Sequence, residues 1–382
     1  SNPGFDLVNA TALDVNLWAG IELFGEGAMR CLFSILFGAG VVLFTTGSSG
    51  KSGALHYRRT FLLLLFGLFD AYILLWNGDI LVTYAVAGFM LYPLRNLRAK
   101  TLFGIAGLLI VLISMMYAGT GYGLGQARSA AQVVAESEQP DSLDPGLIQG
   151  ANQWREFVAD FDFDEAAMAQ ELNQRRGSYS SAFHWNVNKV NEMLFFVMPL
   201  ILLWDALAMM ILGMALYKMK VLQGERSPSF YFRLMLIGFA IGLTVNGYEV
   251  SRALTSGFDL MATFAQMQPT YQIGRLGMAL GYIGLIVWFS QRGQLSVCRQ
   301  ALAAVGRMAL TNYLMQSLIC AVIFTGLGFS LVSEFSRAGL YPIVLLIWLF
   351  QLFFSRWWLY RFRLGPVEWL WRSLTYGQIP EF

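Results

Sequence analysis

A few ionisable side chains lie inside stretches that are otherwise apolar, where charge is costly and usually kept for function. Asp205 sits within Leu202-Leu203-Trp204-Asp205-Ala206. It needs a partner or a proton, and Arg275, in a later apolar stretch, is the candidate partner; such a pair either fixes packing or carries protons. Asp70 and Asn77 are seven residues apart and project from one helical face. Asp79 follows at a turn, and Arg30 opens an earlier apolar stretch on the same side. These four are expected to line a polar pocket of two carboxylates, an amide and a guanidinium, with a carboxylate suited to general-base work on a hydroxyl or amine. Asp79 is also placed to cap a helix starting at Ile80.

Only two histidines exist. His56 stands beside Tyr57, Arg58 and Arg59 and reads as an interfacial residue. His184, in Phe183-His184-Trp185-Asn186, is a candidate base or an interfacial anchor. No His and Cys spacing suits a metal, and neither a nucleophile elbow nor a phosphate-binding glycine loop occurs. Asp160-Phe-Asp-Phe-Asp-Glu lacks the glycine and the spaced glutamate of a calcium loop. Asn9-Ala10-Thr11 fits a glycosylation sequon, a pattern too short to carry weight.

A second polar group gathers late in the chain. Gly306-Arg307-Met308-Ala309-Leu310-Thr311-Asn312-Tyr313 opens an apolar stretch, and Thr311 and Asn312 precede Met315 and Gln316 by one turn, giving a polar stripe. Arg307 at its mouth is suited to a phosphate. Gly365-Pro-Val-Glu-Trp-Leu-Trp-Arg372 offers Glu368, Trp369 and Arg372 for an interfacial segment or lid; the alternative is an aromatic belt with snorkelling arginines.

The elements that must position these residues are membrane helices. Of 382 residues 56% are hydrophobic and 13% charged, too little polar surface to cover soluble domains, and a net charge of +2 leaves no basic excess for nucleic acid. Three cysteines cannot staple a secreted scaffold. Nine spans of about 20 residues are expected at 28–46, 60–76, 80–94, 101–120, 193–217, 229–247, 271–290, 308–327 and 339–357. The second and third share the turn Trp76-Asn77-Gly78-Asp79 as a helical hairpin. Placing the 47–59 loop, with Lys51, inside puts 16 of the 26 basic residues in inner segments, which orients the bundle with its carboxy terminus cytoplasmic. The amino terminus then lies outside, so a further amino-terminal helix is expected ahead of Ser1. The chain divides into membrane helices 1–121, a polar helical insert 122–192 on the outer side, and membrane helices 193–382. Eleven acids against five bases make the insert acidic. The expected class is an all-α polytopic bundle.

Five motifs in order carry a likeness: Leu32-Phe-Ser-Ile-Leu-Phe-Gly-Ala-Gly40, Trp76-Asn-Gly-Asp-Ile-Leu81 followed by Tyr84-Ala85, Gly213-Met-Ala-Leu-Tyr-Lys218, and the two late motifs above. Together they resemble the YeiB-like family of bacterial membrane proteins (domain of unknown function 418), over residues 28–378. The resemblance implies a bacterial inner-membrane protein, and a missing first helix bearing an Asp-x-x-Arg-Gly motif. Members often carry a histidine just before the hairpin turn, where this chain has Asp70. The family is distantly similar to membrane acyltransferases, which implies transfer from cytoplasmic acyl-CoA to an extracytoplasmic glycan, lipid or small acceptor, with no tightly bound cofactor. In that reading Arg307 and neighbouring arginines hold the donor's phosphates, Thr311, Asn312 and Tyr313 line the path of the thioester, and Gln316 is a further substrate-binding residue. Arg30, Asn77, Asp70, Asp79, Tyr84 and His184 serve the acceptor. The alternatives are a proton-coupled transporter or lipid exporter using Asp205 and Asp70, and a non-enzymatic scaffold or sensor using the insert. The expected partners are the bilayer, acyl-CoA, the acceptor and further copies of the chain.

Overall fold

The computed structural model describes residues 10–46, 53–139, 142–159, 165–264, 268–293 and 296–381. The sequon at Asn9, Lys51, Asp141, and the aspartates at 160, 162 and 164 lie outside the described residues. Those that are described form helices and no strand. In chain order these are α1 (Ala12–Phe24), α2 (Ala28–Thr46), α3 (Gly53–Leu68), α4 (Leu81–Leu91), α5 (Ala99–Glu136), α6 (Pro145–Ala159), α7 (Glu165–Arg176) and α8 (Tyr179–Glu192). The second half holds α9 (Leu203–Lys218), α10 (Pro228–Thr255), the single turn α11 (Leu260–Thr263), α12 (Tyr271–Gln291), α13 (Ser296–Arg307), α14 (Ala309–Phe324), α15 (Arg337–Arg361) and α16 (Pro366–Tyr376).

Six helical stretches are long and apolar enough to cross a membrane: Ala12–Thr45, Ala99–Glu136, Tyr179–Lys218, Pro228–Thr255, Tyr271–Gln291 and Arg337–Arg361. A seventh is the pair α13 and α14, bent by 77° where they join. The difference from nine arises at the hairpin and the bend. α4 has only 11 residues, short of the roughly 20 a crossing takes, and α3 with its π turn, Gly53–Ile73, carries Arg58, Arg59 and Asp70. The expected first span begins earlier, because α1 runs on into α2. The expected fifth span is the second half of a 40-residue rod in which α8 of the insert continues into α9. The proposed boundary at residue 192 therefore falls inside a continuous helical segment.

That rod passes through a π-helical stretch, Met193–Leu202, containing Pro199. Proline lacks the N–H of the regular ladder, and a widened turn absorbs the defect. The α9 half is apolar on every side and buried nearly throughout, which marks the centre of a bundle. Around it pack Ile35 of α2, Tyr84 and Ala87 of α4, and Leu102 and Ala106 of α5. Within lipid such contacts rest on close van der Waals fit. At the α2–α9 crossing a Cβ on Gly38 would run into the Met210 carbonyl, and one on Gly213 into that of Ile35. Two glycines of the family-like motifs thus let these backbones touch.

α1 starts on a capping box. The Thr11 hydroxyl accepts from Asp14 N at 3.2 Å, and Asp14 Oδ2 accepts from Thr11 N at 2.9 Å. The other Asp14 oxygen accepts from Ala338 N at 2.7 Å, tying α1 to the start of α15.

Candidate functional site

The hairpin of α3 and α4 brings two carboxylates together in the protein interior. After α3 the chain widens into a π turn, Phe69–Ile73, and then leaves helical geometry, with Leu75 at φ 60°. Carbonyls around this turn are satisfied from α8: Asn186 Nδ2 donates to Ala71 O at 2.8 Å, and the Tyr179 hydroxyl to Ile73 O at 2.8 Å. The Tyr72 hydroxyl returns a bond to Asn191 Oδ1 at 2.7 Å. Helix α8 therefore holds the tip of the hairpin.

Asp79 is buried. Its Oδ2 accepts from Val82 N at 2.8 Å, which is the helix cap expected of it. Its Oδ1 accepts from the Tyr313 hydroxyl of α14 at 3.0 Å, and that hydroxyl accepts from Ile80 N at 3.2 Å. Gly67 on α3 makes the room, since a Cβ there would lie 2.9 Å from Asp79 Oδ2. Asp70, fully buried, faces Asp79 and Ser317. Ser317 gives its hydroxyl proton to Tyr313 O at 3.4 Å, and among the described residues no donor meets an Asp70 oxygen in hydrogen-bond geometry, Ser317 and Asp79 being its polar neighbours. The buried Oδ1 of Asn186 is likewise without a partner. No cation stands within ion-pair distance of either aspartate among the described residues. Two adjacent carboxylates in a dry setting repel when both are charged, so the pair has room for one shared proton.

The four-residue pocket expected around Asp79 forms only in part. Asn77 lies half-buried at the tip, whereas Arg30 belongs elsewhere. Its Nη2 donates to the Tyr271 hydroxyl at 3.0 Å and lies 3.9 Å from Asp205 Oδ2. Tyr84 bonds the Ser34 hydroxyl at 2.5 Å and the Arg30 carbonyl at 3.3 Å, on that same side. His184 is not brought to the carboxylates. It lies on the exposed face of α8, with Nδ1 2.6 Å from Ser180 O in its own helix. The chemistry-facing residue of Phe183-His184-Trp185-Asn186 is Asn186, on the opposite side of the helix.

Asp205 and Arg275 do pair. Arg275 Nη1 donates to Asp205 Oδ2 at 2.7 Å, its Nη2 contacts Oδ1, and Gln272 Nε2 donates to Oδ1 at 2.9 Å. Both charges are buried and bidentate. A carboxylate so fully bonded is a packing element joining α9 to α12. Beside it a small recess is lined by Glu22, Glu26, Asn246, Glu249, Tyr271 and Arg275. None of the three glutamates falls inside an expected span: Glu22 and Glu26 precede the first, and Glu249 lies just past the sixth.

The late motifs meet in a reciprocal cap. Glu368 accepts from Leu310 N at 2.7 Å, Thr311 N at 3.0 Å and the Thr311 hydroxyl at 2.5 Å, closing the start of α14. The Thr311 oxygen accepts in turn from Val367 N at 3.1 Å, at the start of α16. Asn312 donates to Ser355 Oγ at 3.0 Å, and its carbonyl accepts from Gln351 at 2.8 Å. Trp369 donates to Pro380 O at 3.0 Å, and Arg307 to Arg363 O at 2.9 Å. Gln316 and Arg372 are exposed. The polar stripe expected to line a path is thus largely consumed in joining α14, α15 and α16. Leu63, Leu81, Leu310 and Leu314 pack into one apolar cluster where α3, α4 and α14 meet.

The model of a protein family described as "Protein of unknown function (DUF418)" matches residues 216–378, from the end of α9 past the Glu368–Thr311 interlock. "Uncharacterized protein YxaH" of Bacillus subtilis is 30% identical over 360 residues, 93% of this chain and 81% of its own length. "Uncharacterized protein YeiB" of Escherichia coli is 30% identical over 367 residues, 96% and 86% of the two chains. The chain belongs to the DUF418 family. Another relative, "Uncharacterized 39.9 kDa protein in amylase 3'region" of Bacillus acidopullulyticus, is 33% identical over 109 residues, covering 27% of this chain and 31% of its own. No solved structure matches. The acyltransferase likeness implied by the sequence has no counterpart among these matches.

Proposed function

We propose that this DUF418 protein is a membrane-embedded acyltransferase, with Asp79 as the base at the hairpin tip. One observation carries the reading: a buried carboxylate, Asp70, has no hydrogen-bond donor and faces a second carboxylate held by a tyrosine hydroxyl. In the proposed step Asp79 takes the proton of an acceptor hydroxyl as its oxygen attacks a thioester carbonyl. The new C–O bond forms, the C–S bond breaks, and the departing thiolate receives the proton. Asp70 holds a proton against Asp79 between turnovers, and Tyr313 fixes the carboxylate's orientation. The reading retains the orientation expected from the basic residues: hairpin base and carboxy terminus in the cytoplasm of a bacterial cell, inner membrane crossed with the hairpin embedded, insert outside. Incubation of purified protein with a radiolabelled acyl-CoA tests it. Slow hydrolysis or transfer that vanishes in Asp79→Asn supports the reading, and its absence in the unaltered protein ends it.

A proton-coupled transporter is the second reading, favoured by the same unpartnered Asp70 together with helices interrupted at the interior site. Substrate-dependent proton flux into liposomes, abolished by Asp70→Asn, would replace the first reading with this one.

A further inference from the structure

At the end of α3 away from the hairpin tip, Arg59 and Arg372 come within electrostatic reach without a carboxylate, and Arg58 lies at the neighbouring end of α16. The guanidinium of Arg59 lies between two aromatic rings, 4.7 Å from the centroid of Phe44 on α2 and 4.4 Å from that of Trp371 on α16. Trp371 is itself fixed, its indole N–H donating to Arg59 O at 3.0 Å. Tyr376 and Arg372, both on α16, act electrostatically on Arg59, and Arg58 lies beside Gly377 at the end of that helix. Elsewhere the arginines Arg128, Arg176, Arg275 and Arg363 each hold a carboxylate. Arg58, Arg59 and Arg372 hold none among the described residues, and none of their side-chain N–H groups donates a hydrogen bond there.

Like charges so placed repel unless an anion lies among them. A guanidinium stacked face-on between rings keeps its edge N–H groups free for a planar, two-point acceptor, the arrangement that suits phosphate oxygens. An arginine that served only to reach the headgroup layer would extend outward, whereas Arg59 is half-buried between two helices that anchor both its rings. We propose that Arg58, Arg59 and Arg372 form a binding site for a phosphate ester, with Trp371 and Phe44 orienting the central guanidinium. Two sources share that chemistry: the phosphates of a CoA thioester, and the headgroup of an anionic phospholipid. Only the first rests on the transferase reading. It moves the donor's phosphate contacts from Arg307, which is engaged by the Arg363 carbonyl, to the α3–α16 end.

The test uses the full chain in phosphatidylcholine nanodiscs, with CoA as one probe and added phosphatidylglycerol as the other. Calorimetry reads CoA binding, and native mass spectrometry reads lipid retention. Arg58→Gln/Arg372→Gln removes two exposed side chains without touching the stack, and Arg59→Gln removes the centre. CoA binding that weakens by about tenfold or more in the double variant establishes the site with a soluble ligand. Retention of phosphatidylglycerol, lost in the variants while CoA is ignored, establishes it with a lipid. Binding of neither probe, or binding unchanged in both variants, overturns the proposal. Should CoA bind through these arginines while no acyl transfer occurs, the transferase reading fails and the site stands.

Discussion

The Tyr313 hydroxyl donates to Asp79 at 3.0 Å and accepts from Ile80 N at 3.2 Å, so one side chain of α14 both holds the carboxylate and closes the first turn of α4. Residues 234 positions apart in sequence are joined at the point where the hairpin turns back. Both bonds lie where water has little access, which raises the cost of losing either.

Tyr313→Phe removes both bonds while keeping the ring. It is expected to lower stability by about 1–3 kcal/mol, since a buried backbone N–H and a carboxylate oxygen lose their partners. Thermal unfolding in detergent reads the loss. Acyl transfer should fall further than stability explains, because Asp79 then loses its orientation.

Asp70→Asn replaces an unbonded carboxylate by an amide of the same shape that can donate to Asp79. Removing the like-charge neighbour is expected to leave the melting temperature equal or higher. Turnover should nevertheless drop by about tenfold or more, as expected when a proton-holding group is removed. A variant that melts lower and turns over normally would assign Asp70 to packing alone.

Asp205→Leu strands the buried Arg275 and is expected to cost about 3–5 kcal/mol; Arg275→Leu should cost less, since Arg30 remains 3.9 Å from Asp205. The double variant should recover only part of the larger loss, because Arg30 then lacks its carboxylate. Yield of monodisperse protein and thermal unfolding of all three variants form the cycle that checks it.

His184→Ala is expected to leave acyl transfer within about twofold of the unaltered protein, the ordinary fate of an exposed side chain away from the reacting groups. Asn186→Leu, on the buried face of the same helix, should impair it, since Ala71 O loses its donor. Parallel activity measurements on the two variants separate them.

Sequence reasoning reached the fold class and the Asp205–Arg275 pair because both follow from the high cost of charge in apolar surroundings. Asp79 was found in its capping position for the same kind of reason, a local one. The partner of Asp79 was quoted as part of a motif but assigned to a donor path, because helical spacing reports which residues share a face and says nothing about which other helix that face meets. Arg30 was placed with Asp79 on the strength of lying at the same membrane depth, and Tyr271 and Asp205 claim it instead. His184 drew attention by its chemistry, whereas Asn186, two residues on, carries the contact. The span count differs at the hairpin, where α4 is too short to cross and the stretch through α3 carries Arg58, Arg59 and Asp70.

The last helix, α16, is tied to α14 through Glu368 and to α3 through Trp371. The brace on the amino-terminal end of α3 is therefore supplied by a residue translated some three hundred positions later, so that contact closes only when the carboxy-terminal segment is made.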